Sequence, residues 1–334
     1  MSAFNLLFLS AGRRVELVQC FRKAARTMGI ESILVGGDHQ ALAPALYFVD
    51  QAVILPKITD PGYIDAIIDT CNRFGITLVI PTIDTDLLIL SQNKSKIKST
   101  TGAKVLISSE EVIRICRDKI QTHLFLEQNG FLVPHLYRQD ELVNENLRFP
   151  LFIKPRDGSS SINAFKAESW QKLQYYLYLI PNPIVQDFVE GEEYTVDAFL
   201  DFDGNIISIV PRLRMATRGG EISKGKIVKD HEIIAVVKEL LNTLKPIGHI
   251  TIQCIKSLKG IEFIEINPRF GGGAPMSIKS GADSCKGLYR LLRGEKLEYH
   301  EDYQDGLIFL RFDDSICLNE RIEIVNLPGD ANDY

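Results

Sequence analysis

From Phe4 to Ile107 short apolar runs alternate with stretches whose apolar residues recur at helical spacing, and after Ser108 that alternation stops. Phe4 to Leu9 reads as a strand, Val15, Val18, Phe21, Ala25 and Met28 mark a helix face, and Ser32 to Val35 reads as the next strand. The unit returns with Ile64, Ile67, Ile68, Cys71 and Phe74 as a helix, Thr77 to Pro81 as a strand, a helix from Asp84, and a strand at Lys104 to Ile107. Strands joined through helices run parallel, so this region predicts a doubly wound, Rossmann-like α/β layer.

The rest reads differently. Ser108-Ser109-Glu110-Glu111 is a capping-box pattern for a short helix, and Asp118 is placed to cap the next, which ends near Gly130. Strands are predicted at Leu151 to Lys154 and Ile184 to Val189, with a helix from Ser169 between them. Tyr194, Val196, Ala198 and Leu200 alternate into Asp203-Gly204, and Asn205 to Arg214 returns antiparallel. A helix over Glu232 to Lys245 precedes strands at His249 to Lys256 and Ile261 to Asn267. Hairpins in place of crossovers make this part α+β, and the 334 residues divide into 1–110, 111–190 and 191–334.

Composition excludes several classes. Hydrophobic residues at 45% and charged residues at 24% suit a globular chain, and a net charge of −5 offers no global positive field for nucleic acid or an anionic membrane. No apolar run reaches the roughly 18 residues of a membrane span, and in MSAFNLLFLSAGRR the arginines follow the apolar stretch, the reverse of a signal peptide. Six cysteines stand singly, without CxxC spacing, and are expected as small buried hydrophobes in a reducing cytoplasm. The six histidines show no metal spacing, and Trp170, Tyr175, Tyr176 and Tyr178 read as helix packing.

Three segments carry chemistry. In residues 249–273, a three-residue loop Leu258-Lys259-Gly260 with Gly260 left-handed sets Gln253 opposite Glu265, and Asn267 shares their face. A carboxylate with two amide oxygens suits Mg²⁺, which keeps phosphates and waters as its other ligands; a solvent-facing polar stripe gives the same text. Arg269 and Gly271-Gly272-Gly273 beside the trio suit an anionic substrate. The run Phe152 to Ser161 delivers Lys154 from a strand into a small-residue loop able to wrap phosphate oxygens, although a surface lysine before a flexible loop fits as well and no Walker spacing is present. From Ile184 to Thr195, a strand edge could meet adenine and Glu193 a ribose, or the segment is an ordinary strand, loop and acidic patch.

At the N-terminus, Ser10 to Arg14 is a strand–turn–helix anion site without the GxGxxG of dinucleotide folds. Arg13 or Arg14 can pair with a substrate carboxylate or merely begin a solvated helix, and the acids of Pro81 to Asp86 can receive an amine or cap a helix.

In their order, Asp118-Lys119, Lys154 with its Gly/Ser loop, the hinge with Glu193, and Gln253…Glu265-x-Asn267-Pro268-Arg269 resemble the ATP-grasp superfamily over residues 4–295. The nearest resemblance is to a single unit of the carbamoyl-phosphate synthase large subunit, with D-alanine:D-alanine ligase and biotin carboxylase more distant. It implies a Rossmann-like pre-ATP-grasp domain over 1–110, a small ATP-grasp lid over 111–190 and a catalytic subdomain over 191–334. It also implies Lys119, Lys154, Ser159 and Ser160 around the ATP phosphates, Gln186, Asp187 and Val189 along the adenine, and Glu193 on the ribose. Gln253, Glu265 and Asn267 would hold Mg²⁺, with Mn²⁺ as the alternative ion, and Arg269 with Lys154 would be catalytic. The residues Arg212 to Lys226 take the place of a mobile active-site loop.

The implied activity is ATP-dependent ligation of a small-molecule carboxylate to an amine through an acyl phosphate, releasing ADP and phosphate in the cytoplasm, with a homodimer common in the superfamily. A synthase-like reaction on bicarbonate or carbamate and a non-catalytic nucleotide-binding regulator are the alternatives. Ser223-Lys224 stand before Gly225 where the synthases usually carry histidine, and 334 residues hold one ATP-grasp unit, not two.

Overall fold

The computed structural model of the protein describes residues 3–143, 147–158 and 162–325. Strands β1 (Asn5–Leu9), β2 (Leu34–Asp38), β3 (Gln51–Ile54), β4 (Ile76–Pro81) and β5 (Lys104–Val105) form a parallel sheet in the order β3-β2-β1-β4-β5. Helices α1 (Val15–Thr27), α2 (Tyr63–Phe74) and α3 (Leu87–Thr101) cover its two faces. Alternation along β1 explains the layering: Leu6 and Phe8 join the core under α1, and Leu7 and Leu9 join that under α2 and α3. The edge strand β3 is not anticipated by the sequence because it buries none of its side chains fully. Strand β2 runs later than expected because Gly36 and Gly37 carry no apolar signal; a Cβ on Gly37 would lie 2.6 Å from Leu55 Cδ1.

Helices α4 (Glu110–Arg117) and α5 (Lys119–Gln128) follow. Ser109 caps α4 by accepting from Val112 N at 3.3 Å, whereas Ser108 accepts from Ile247 N at 2.9 Å, so the box is not formed from Ser108 as its spacing to Glu111 suggests. Val112, Cys116 and Leu126 enter the core of the C-terminal sheet, while the start of α5 also bonds the lid through Lys119 N and the Arg156 carbonyl, so these helices bridge the two. The lid sheet comprises β6 (Leu136–Tyr137), β7 (Leu151–Pro155), β8 (Phe165–Ala167) and β9 (Pro183–Asp187), in the order β6-β9-β7-β8, with α6 (Trp170–Leu179) packed on it. Its separate core is small, built on Leu151, Ile153, Ala167, Leu173, Ile180 and Val185. Tyr176 stacks on Phe165, but Tyr175 and Tyr178 are exposed, contrary to the packing role expected of them.

The third sheet is antiparallel, in the order β14-β13-β10-β11-β12-β15, from β10 (Glu192–Leu200), β11 (Ile206–Arg218), β12 (Glu221–Ile227), β13 (His249–Ser257), β14 (Gly260–Asn267) and β15 (Ile308–Leu310). Helix α7 (His231–Leu244) packs on one face; α8 (Ala274–Lys279) and α9 (Ser284–Leu292) reach the N-terminal domain. Phe21 of α1 meets Phe8, Phe270 and Tyr289 edge-on at 5.2, 5.8 and 6.2 Å, which joins the first and third sheets through one continuous core.

The segment Arg212 to Lys226 is no loop. It is the β11–β12 ladder, paired from Arg212–Ile227 to Arg218–Glu221, and Arg212 is buried against Asp197 at 2.9 Å. Five cysteines are buried as expected and Cys317 is exposed, all six as free thiols. No helix among the described residues is long and apolar enough to cross a membrane.

Candidate nucleotide and acceptor site

Strand β7 carries Lys154 inward, with Ile184 opposite it and Gln186 opposite Phe152 on β9. Lys154 is only 7% exposed, and its Nζ has no hydrogen-bond or ion-pair partner among the described residues. Burial pushes the amine down to about 8, with Glu265 opposing, Lys119 adding to the fall and Glu193 opposing more weakly.

Lys119 opens α5, whose cap Asp118 accepts from Ile120 N at 2.9 Å. The same carboxylate takes Arg156 Nε at 3.0 Å and so staples α5 to the loop after β7. That brings Lys119 Nζ to 3.0 Å from the Gly158 carbonyl. Burial lowers the Lys119 pKa too, with Glu265 the largest opposing charge. One buried and one half-buried ammonium group thus share Glu265 as their strongest opposing charge. Ser159 and Ser160 lie outside the described residues.

The Gln253–Glu265 pairing expected from the sequence is present, but it arises differently. Ser257 pairs with Gly260, which leaves a two-residue turn, Leu258-Lys259, in place of the three-residue loop. The register is restored by an irregularity that skips Ile264. Gly260 has φ of 124°, beyond the left-handed helical conformation the longer loop called for. Asn267 is buried opposite Thr251. The side chains of Gln253, Glu265 and Asn267 make no hydrogen bond or ion pair among the described residues, leaving one carboxylate and two amide oxygens free on one sheet face.

A small pocket behind this face holds Lys119, Lys154 and Gln186 between Leu136, Ile184 and Phe263. Asp187 accepts from Tyr137 Oη at 2.8 Å, and neither it nor Val189 lines the pocket. Glu193 lies 3.0 Å from Arg214 Nε, which also brings Arg214 to the site. Sequence reasoning missed Phe263 and Arg214. Phe263 sits two residues before Glu265 on an already recognised strand, whereas Arg214 falls at the end of the expected strand Asn205 to Arg214, where it overlaps the segment that the resemblance gives as a loop.

On the other side, Arg269 is clasped by Asp84, Nε to Oδ1 at 3.0 Å and Nη2 to Oδ2 at 2.5 Å, with both side chains largely buried. Asp84 therefore neither caps α3 nor stands free for an amine. Asp86 makes no cap either: it accepts from Ser10 Oγ at 2.6 Å, and burial raises its pKa to about 6. Arg14 approaches Glu221 at 3.8 Å and donates to the Thr82 carbonyl at 3.4 Å; burial, then the neighbouring Arg269, pushes its pKa down to about 10. Gly272 lets Arg14 approach closely, since a Cβ there would lie 2.7 Å from Arg14 Nη1 and displace the guanidinium. His249 stacks on Phe270 at 4.2 Å and is held neutral by burial, a structural role as expected.

Residues 6–106 match the model of the PylC-like, N-terminal domain, and residues 116–273 match that of the ATP-grasp domain. The chain is 25% identical over 191 residues to the carbamoyl-phosphate synthase of Methanobrevibacter smithii, covering 56% of this chain and 50% of that protein. It is 31% identical over 115 residues to the D-alanine–D-alanine ligase of Fusobacterium nucleatum, covering 34% of this chain and 37% of that protein. The chain thus spans half or less of the curated relatives it matches. Among solved structures, the biotin carboxylase domain dimer of Hydrogenobacter thermophilus 2-oxoglutarate carboxylase, bound to MgADP and bicarbonate, superposes with a TM-score of 0.70 at 15% identity, over 92% of this chain and 74% of that one; this shows a shared fold. The two family matches follow the order of the parallel and antiparallel regions they cover: the chain carries a PylC-like N-terminal domain followed by an ATP-grasp domain.

Proposed function

We propose that the protein is an ATP- and Mg²⁺-dependent carboxylate–amine ligase working through an acyl phosphate. The observation that carries this reading is the pair of a buried Lys154 and a half-buried Lys119, neither with an ion-pair partner among the described residues, in the field of the unpaired carboxylate of Glu265. Burying ammonium groups is costly, and nucleotide phosphates offset that cost. The strand edge at Gln186 is the place for the adenine, and Glu193, 3.0 Å from Arg214, for its ribose.

Gln253, Glu265 and Asn267 fit a Mg²⁺ that arrives with nucleotide: the described residues hold no self-sufficient cluster of three acidic, histidine or cysteine ligands, so phosphates must complete the shell. When bound, the ion supplies positive charge beside the transferring phosphoryl group. A carboxylate resists amines because its charge is delocalised; taking the γ-phosphoryl group converts one oxygen into part of a phosphate leaving group. The amine then attacks the acyl carbon, the C–O bond breaks, phosphate departs and the amine loses a proton. Lys154 and Arg269 hold the reacting oxygens, and the lid carrying Lys154 excludes water that would hydrolyse the intermediate.

Hydroxylamine tests this directly, since it converts acyl phosphates to hydroxamates. With an accepted acid, ADP and hydroxamate should form in equal amounts; ADP release without hydroxamate would contradict the acyl-phosphate route.

A further inference from the structure

A cleft of about 750 Å³ opens between the start of α1, Gly271-Gly272, β12 and the chain after β15. Its volume falls within the roughly 300 to 1,000 Å³ typical of pockets for drug-sized ligands, far more than a four-heavy-atom bicarbonate fills. Its chemistry is divided. At one end Arg13, Arg14 and Arg311 converge on a single carboxylate, Glu221, at 3.9, 3.8 and 3.1 Å. Only the Arg311 contact is within hydrogen-bond reach, so Glu221 leaves the facing donors of Arg13 and Arg14 unfilled. Arg14 is also the residue whose charge is felt beside Arg269, which places this cationic end next to the proposed reacting centre.

The same cleft is lined by uncovered apolar side chains: Leu42, Leu310 and Phe312 remain 66%, 66% and 85% exposed. Isolated exposed apolar side chains need no explanation, but three around one cleft with a cationic floor mark a ligand surface. The rim charges are matched internally, Lys279 with Glu16 at 2.5 Å and Arg218 with Asp313.

Building on the ligase reading, we infer that the acid accepted here is amphipathic: a carboxylate held by Arg14 and Arg13, with an aryl or alkyl body lying against Leu42, Leu310 and Phe312. Bicarbonate and acetate can occupy the cationic end but leave the apolar wall wet.

The test pairs binding with turnover. Calorimetry of 3-phenylpropionate, octanoate and acetate on the ADP-loaded protein should show the two larger acids binding at least tenfold more tightly, since burying a phenyl or alkyl body gains at least that factor. Leu310→Ser and Phe312→Ser, at exposed positions, should each narrow the gap between phenylpropionate and acetate, and ADP binding by the same variants reports their folding. Equal binding of acetate and the larger acids, no binding of phenylpropionate, or variants that leave the gap intact would overturn the inference. The hydroxamate assay on the same acids separates this from the ligase reading: tight apolar binding without ADP release with any acid defeats the ligase reading alone, and turnover with acetate or bicarbonate as well as with phenylpropionate defeats the amphipathic acid alone.

Discussion

The two halves of the site handle charge in opposite ways. On the nucleotide side, Lys119, Lys154 and Glu265 are drawn together with no ion pair among them, whereas on the acceptor side Arg269 is clasped by Asp84 and Arg311 bonds Glu221. The first half sits where the lid meets the third sheet; the second belongs to the continuous core that fuses the first and third sheets. The difference teaches that a pocket awaiting a polyanion leaves its lysines open, while the reacting centre between fused domains orients Arg269 with an internal carboxylate. The unpaired lysines depend on their ligand, and the Asp84–Arg269 pair is built into the fold.

The sharpest break of this contrast is Glu265→Gln. It removes the carboxylate facing both lysines and should depress turnover by about two orders of magnitude or more, by analogy with loss of other charge-stabilising groups. ATP affinity without Mg²⁺ should change little in calorimetry, and near-wild-type turnover would return the trio to a polar stripe. Asp84→Asn attacks the paired half instead. Leaving the buried Arg269 without its partner should cost about 3 to 5 kcal/mol in denaturant unfolding, a loss that no comparable single change on the nucleotide side should match.

Lys154 sharpens the comparison through pH. Its free-state pKa of about 8 lies below the ordinary lysine value, and a bound phosphate raises it again, so ATP binding should take up a proton between about pH 8 and 10 and weaken as pH rises through that window. Binding enthalpies that vary with the ionisation heat of the buffer would register the proton; buffer-independent enthalpies at pH 9 would contradict it. Lys154→Ala should weaken ATP and abolish this uptake. The smallest effect belongs to Arg218→Ala at the exposed rim, where solvent screens the Asp313 pair and thermal stability should not change measurably.

What could be read from the sequence follows the same division. Lys154 and the Gln253, Glu265, Asn267 trio sit on short strands whose alternation fixes which side chains share a face, so local text was enough even though the turn and the irregularity at Ile264 were not foreseen. The Asp84–Arg269 clasp joins positions 185 residues apart, and no local pattern encodes it. The resemblance puts a mobile loop at Arg212 to Lys226, where the residues form the β11–β12 ladder and Arg212 is buried by pairing with Asp197; the arginines, lysines and glycines of this stretch give no apolar alternation that would announce it. The edge strand β3 and the shared core around Phe21, Phe270 and Tyr289 were invisible for a related reason: they are defined by neighbours distant in the chain.

The acyl phosphate is the central claim, and oxygen transfer tests it most directly. With an accepted acid labelled with ¹⁸O in its carboxylate, and an amine present, mass spectrometry of the released phosphate should find one ¹⁸O carried from acid to phosphate in each turnover. Unlabelled phosphate accompanying amide formation would show that the carboxylate oxygen never bonds to phosphorus, and would contradict the account.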